Sequence, residues 1–162
     1  MPLYYAGLRV RNLPRSVRFY TKVMKLRLES RGDGRAWGAG LWVALRDPKS
    51  GGGLELNWYP KGSKYATPFT PGEALDHLGF FLGHVPRATL EREYARIVRG
   101  GARPTRITPA FSEGWTAYVT DPDGNWVELF RRPTPAEQLG QSRKSRRRRR
   151  SPRRSRRRKP AA

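Results

Sequence analysis

Four residues of this chain fall at matching points of an internal repeat, and three of them have types suited to metal chemistry. Residues 5–16, YAGLRVRNLPRS, align with residues 77–88, HLGFFLGHVPRA, at an offset of 72. Asp47-Pro48 then matches Asp121-Pro122 at an offset of 74, and Leu54-Glu55-Leu56 matches Val127-Glu128-Leu129 at an offset of 73. The repeat pairs Tyr5 with His77 and Glu55 with Glu128. Each glutamate lies between two apolar neighbours, and a carboxylate on the inward face of a sheet is costly unless paired or bound to a cation. One imidazole and two carboxylates make an N/O donor set suited to Fe, Mn, Co, Ni or Zn. Strand alternation alone is equally compatible with two carboxylates facing solvent. The other histidine, His84, falls after its strand near a turn and reads as a surface or capping residue.

The elements that must position these residues repeat as well. Tyr4 to Val10 reads as a strand, and Asn12 as the N-cap of a helix whose apolar positions are Leu13, Val17, Tyr20 and Met24. A strand beginning near Leu26 and strands over Leu41 to Leu45 and Leu54 to Trp58 follow, the last two joined by the turn-rich DPKSGGG. The second unit has a strand over His77 to Leu82, a helix carrying Leu90, Tyr94, Ile97 and Val98 that ends at Gly100-Gly101, and a weaker strand over Arg103 to Ile107. Trp115 to Thr120 and Asn125 to Phe130 complete it as a hairpin around DPDG. The predicted class is therefore α+β, with two tandem βαβββ modules over about residues 3–60 and 73–132. Neither module is large enough to bury a good core alone, so both are expected to pack as one domain, residues 1–133.

Composition narrows the function further. The chain has 162 residues and a net charge of +21, and residues 143–162 hold 13 of its 34 Lys and Arg and none of its 13 Asp and Glu. The remaining body therefore carries 21 minus 13, or +8. Residues 133–142, PTPAEQLGQS, read as linker, and 134–162 is expected to be a disordered basic tail. Its arginines (Arg146, Arg147, Arg148, Arg149, Arg150, Arg153, Arg154, Arg156, Arg157 and Arg158) can neutralise the phosphates of nucleic acid or polyphosphate without reading sequence. With no cysteine, disulfides, thiolate metal sites and cysteine nucleophiles are excluded. No apolar run is long enough for a transmembrane helix and no secretory signal pattern opens the sequence, so a cytoplasmic location is expected.

Leu8 to Met24 and the DPDGNWVELF stretch, Asp121 to Phe130, resemble the vicinal oxygen chelate superfamily, which includes glyoxalase I, extradiol dioxygenases, epimerases and antibiotic-resistance proteins. The resemblance covers about residues 3–132 and is nearest to bacterial glyoxalase I. It implies an open barrel built from the two modules, a divalent metal, a homodimer and, in the glyoxalase branch, a thiol cosubstrate. It places metal ligands at Glu55, His77 and Glu128, and a fourth at Tyr5, where the family has His or Gln. A phenol with a pKa of about 10 is a poor ligand unless a metal ionises it. Lacking a histidine at Tyr5, the chain departs from the extradiol dioxygenase pattern and is closer to the lyase and isomerase branch. That branch makes Glu128, then Glu55, the candidate catalytic base. By the same resemblance Arg9 is a substrate anchor. Asn57 and Trp58 match an Asn-Trp pair of the thiol-binding region, displaced by two residues. The leading expectation is a metal-dependent glyoxalase-type lyase. The alternatives are a non-catalytic ligand-binding or resistance-type protein on the same scaffold, an extradiol-like enzyme, and a polyanion-binding protein acting through its tail.

Overall fold

A computed structural model describes residues 4–35, 40–63, 65–70, 75–105 and 116–140. The order is β1 (Tyr5–Arg9), α1 (Leu13–Arg18), β2 (Arg27–Asp33), β3 (Leu41–Arg46) and β4 (Gly53–Trp58), then β5 (His77–His84), α2 (Arg87–Arg99), β6 (Arg103–Pro104), β7 (Thr116–Thr120) and β8 (Trp126–Arg132). The described part of Arg103 to Ile107 pairs over only two residues; Arg106 and Ile107, like Trp115 and the arginine tail, lie outside the described residues. The strands form two four-stranded sheets, β1-β4-β3-β2 and β5-β8-β7-β6. In each, the first and last strands of the module run parallel and the other pairings are antiparallel. The two βαβββ units are therefore present, and the sheets do not close on themselves.

Period-2 alternation divides each sheet into two faces. Leu54 and Leu56 of β4, Val43 and Leu45 of β3, and Val127 and Leu129 of β8 are buried on the helix side. Against them pack Leu13, Phe19, Tyr20 and Val23 in module one and Leu90 and Ile97 in module two. Each such side chain contributes about 1.5–3 kcal/mol by leaving water. Glu55, Asn57 and Glu128 fall on the opposite faces, which no helix covers.

The first helix starts as its sequence requires: the Asn12 side chain accepts from the Arg15 amide at 3.0 Å, and Pro14 occupies the first turn, where an amide is dispensable. Beyond Arg18 it widens into a π-helical turn, Phe19–Val23, closed by the Met24 amide on the Phe19 carbonyl. It ends at Lys25, whose φ of 67° lies in the left-handed region that favours glycine. Module two ends its helix with Gly101 at a φ of 111°.

The modules are joined by a buried polar latch. Ser16 donates to Asp123 at 2.7 Å, Tyr20 donates to Asp121 at 2.9 Å, and Arg15 pairs with Asp123 at 2.7 Å. Burial, then the neighbouring Asp121 carboxylate, pushes the Tyr20 phenol well above its ordinary pKa. The DPDG turn is thus held by the helix of the other module.

One expected feature is corrected. Residues 134–140 are not linker: residues 135–140 are helical. Thr134 caps the Glu137 amide at 3.3 Å while Glu137 accepts from the Thr134 amide at 2.8 Å, a reciprocal capping box. Glu137 also pairs with the buried Arg131 at 2.8 Å, tying this segment to β8. The Pro residues that suggested a linker flank the cap, where they do not interrupt a helix.

Candidate metal and substrate site

The open face of module two brings His77, Gly79 and Phe81 of β5 beside Trp126, Glu128 and Phe130 of β8, with Gly79 directly opposite Glu128. His77 Nε2 lies 3.3 Å from Glu128 Oε2. On its other side, His77 Nδ1 is 2.7 Å from Asp76 Oδ1. With the proton on Nδ1, shared with Asp76, the Nε2 lone pair would face the Glu128 carboxylate and a cation would be needed between them; with a proton on Nε2 the contact is a hydrogen bond. Metal–ligand bonds of about 2.1 Å at angles of about 90–109° place neighbouring donors about 3.0–3.4 Å apart, so the pair fits a divalent ion.

Two residues with no place in the predicted donor set complete this arrangement. Tyr118 of β7, paired in register with Glu128, donates to Glu128 Oε1 at 2.9 Å and meets the His77 ring edge-on at 5.6 Å. Asp76 orients the imidazole from the other side. The adjacency Asp76-His77 is visible in the sequence; Tyr118 could be found only from the β7–β8 register. Burial first, then its bond to Glu128, raise the Tyr118 pKa to about 12. With the folded value above the unfolded one of about 10, the neutral phenol adds stability below pH 10 that is lost as pH rises toward 12. In Tyr118→Phe, the phenolate absorbance step near pH 12 is expected to disappear and the decline of stability over that window to flatten. An unchanged step would assign it to another tyrosine.

Module one presents the repeat-related face. Glu55 lies opposite Gly7 across β1–β4, as Glu128 lies opposite Gly79. A side chain at Gly7 would meet only Asn57 Nδ2 at 3.5 Å, so the space beside Glu55 is open. The repeat itself holds this glycine signal. Glu55 Oε1 accepts from Asn57 Nδ2 at 3.1 Å. Tyr5 and Glu55 line a cavity of about 250 Å³ with Trp42, Ala44 and Arg46. Tyr5 is 49% exposed.

Sequence reasoning grouped Glu55 with His77 and Glu128. Within one chain, no three His, Asp or Glu side chains among the described residues converge on a metal-sized space. The two halves of the expected donor set, Tyr5 with Glu55 and His77 with Glu128, instead sit on separate sheets. β4 alternation puts Trp58 on the face opposite Glu55 and Asn57, where it lines a cavity with Leu13, Pro14 and Leu41. Arg9 binds the connection between the modules, donating to the Thr67 hydroxyl at 2.7 Å and lying over the Tyr59 ring. His84, expected after its strand, is instead the last residue of β5, and its Nδ1 meets the Pro133 carbonyl at 3.3 Å.

The chain belongs to the Glyoxalase/Bleomycin resistance protein/Dioxygenase superfamily, whose profile matches residues 3–129. Among solved structures, it is similar to the trypanothione-dependent glyoxalase I of Leishmania major, with 19% identity, a TM-score of 0.61 and coverage of 92% of this chain and 97% of that one. A glyoxylase/bleomycin resistance protein/dioxygenase domain from Frankia sp. EAN1pec gives 24% identity and a TM-score of 0.63, covering 80% and 96% of the two chains. A fosfomycin resistance protein, FosX from Listeria monocytogenes, solved with Mn(II) and 1S,2S-dihydroxypropylphosphonic acid, gives 14% and 0.60, covering 85% and 97%. At these identities the likeness establishes the fold alone. No curated protein matches the chain. Among the described residues no helix is long and apolar enough to cross a membrane.

Proposed function

We propose that this protein binds a divalent metal through His77 and Glu128, completes the site with Glu55 of a second copy, and acts as a lyase or isomerase on a small substrate with adjacent oxygens. The observation that carries the reading is the His77–Glu128 pair, with Nε2 and Oε2 3.3 Å apart on an open sheet face. That Glu55 occupies the repeat-equivalent position on the other open face supports a site shared by two copies. FosX, similar in fold, was solved with Mn(II), which supports the metal.

A bound divalent ion would supply positive charge next to a substrate carbonyl or hydroxyl oxygen. The chain's own groups do the rest. Asp76 fixes the His77 ring, and Tyr118 holds Glu128 Oε1; Oε2 is the oxygen that would bind the ion and, displaced from it, would take a proton from carbon. The hemithioacetal of methylglyoxal with a small thiol is the first substrate to assay.

Metal content decides the reading. Elemental analysis of the protein reconstituted with Mn, Fe, Co, Ni or Zn is expected to give about one ion per chain, lost in His77→Ala. The same content in His77→Ala would refute the site. Absence of metal from both would favour the second reading, a ligand-binding protein in which Tyr5, at a ligand position and half-exposed, lines the cavity with Trp42.

A further inference from the structure

The first 28 residues contain seven Lys and Arg and no Asp or Glu. Five of these cations, Arg11, Arg15, Arg18, Lys22 and Lys25, recur in steps of four, three, four and three; Arg15, Arg18 and Lys22 lie within α1 and its π-helical extension, and Arg11 and Lys25 flank its two ends. All five are exposed. Arg15 pairs with Asp123, and Arg11 donates to the Asp123 and Phe69 carbonyls. Arg18, Lys22 and Lys25 have no carboxylate partner among the described residues.

The second module provides an internal comparison. Its helix, α2, carries four arginines and two glutamates and ties two of the arginines into ion pairs, Arg87–Glu91 and Arg96–Glu93, each at 2.8 Å. The same structural unit pairs two of its arginines within its own helix in one copy, whereas in the other Arg18, Lys22 and Lys25 have no carboxylate partner among the described residues. At the helix end, module two places a glycine in the left-handed conformation, whereas module one places Lys25 there.

We propose that this face of α1 is a binding surface for the phosphodiester backbone of nucleic acid. A one-sided row of Lys and Arg in a chain of pI about 11.5 is the electrostatic footprint of phosphate binding. A membrane surface is the poorer fit. Interfacial helices insert an apolar face, and here Leu13, Phe19, Tyr20 and Val23 are buried in the core. Neither the stripe nor residues 143–162 contain an aromatic residue for stacking on bases, so binding is independent of sequence. This surface is separate from the metal site, and the proposal stands whether or not metal binds.

The test uses the full chain, with fluorescence anisotropy on a labelled DNA duplex of about 20 base pairs and a single-stranded RNA of similar length, over a salt series. Arg18→Gln/Lys22→Gln/Lys25→Gln is expected to weaken binding at least about tenfold near 0.15 M salt and to reduce the log–log salt slope on duplex by about 2–3. An α2 triple, Arg87→Gln/Arg92→Gln/Arg99→Gln, removes the same charge and is expected to change the slope by less than about 1. The charge-conserving Arg18→Lys/Lys22→Arg/Lys25→Arg should bind as the parent does, and circular dichroism verifies that each variant is folded. Equal losses from the two neutralising triples would overturn the proposal in favour of the tail and net charge. So would no loss from the α1 triple, loss in the charge-conserving variant, or a dependence on α1 seen with phosphatidylserine vesicles but not with either nucleic acid.

Discussion

Asp121→Ala is expected to destabilise the protein by about 3–5 kcal/mol, a large share of the roughly 5–15 kcal/mol typical of a domain. Asp121 is 1% exposed and accepts four hydrogen bonds: from the Asp123 amide at 2.8 Å and from the Asn125 amide, the Asn125 side chain and the Tyr20 hydroxyl at 2.9 Å each. Alanine leaves these donors without an acceptor, and the Tyr20 hydroxyl belongs to a side chain with 0% exposure. Each stranded buried group costs about 1–3 kcal/mol. The repeat supplies the control. Asp47 occupies the matching Asp-Pro turn but bonds only its own loop, at Lys49 and Ser50. Asp47→Ala should therefore cost less than about 1.5 kcal/mol. Urea unfolding midpoints of the two variants, at unchanged m-value, measure the difference. Equal midpoints would mean that the latch between α1 and the DPDG turn contributes nothing beyond the turn itself.

Mixing two metal-poor variants is expected to restore metal binding. If Glu55 of one copy and the His77–Glu128 pair of another form each site, Glu55→Ala and His77→Ala each remove a ligand from both sites of a two-fold dimer. Each loss should exceed the roughly 10–100-fold effect of removing an outer-sphere partner. A heterodimer of the two variants holds one doubly damaged site and one intact site. With random exchange half the dimers are mixed, so about a quarter of the sites should recover metal and activity. Unfolding and refolding the variants together, then measuring metal by elemental analysis, gives the fraction. Recovery near zero in mixtures shown to contain heterodimers would place all the ligands on one chain and remove the shared-site proposal. Recovery well above a quarter would mean that Glu55 is not a ligand.

The internal repeat made much of this protein legible before any coordinates. Matching strands, the Asn12 cap, the glycine end of α2 and the DPDG turn are local features, set by residues a few positions apart, and each appears where its sequence signal lies. The pairing of His77 with Glu128 could be anticipated because the repeat assigns them to the first and last strands of one module, and parallel pairing of those strands brings the two residues onto one face. The capping box at Thr134 and Glu137 was also written in the sequence, masked by neighbouring prolines.

What sequence alone determined is therefore the modules and their strands, and it nominated the candidate donor residues. Tertiary structure decided which of them meet. Register placed Tyr118 on Glu128 and turned Trp58 away from Glu55, because a shift of one residue reverses the face of a strand. Packing of α1 against the other module's turn buried Asp121 and left its repeat partner Asp47 at the surface. The separation of Glu55 from His77 and Glu128 has the same origin. Sequence similarity between two modules is symmetric, but the way they dock is not, and only docking determines the distance between groups on different sheets.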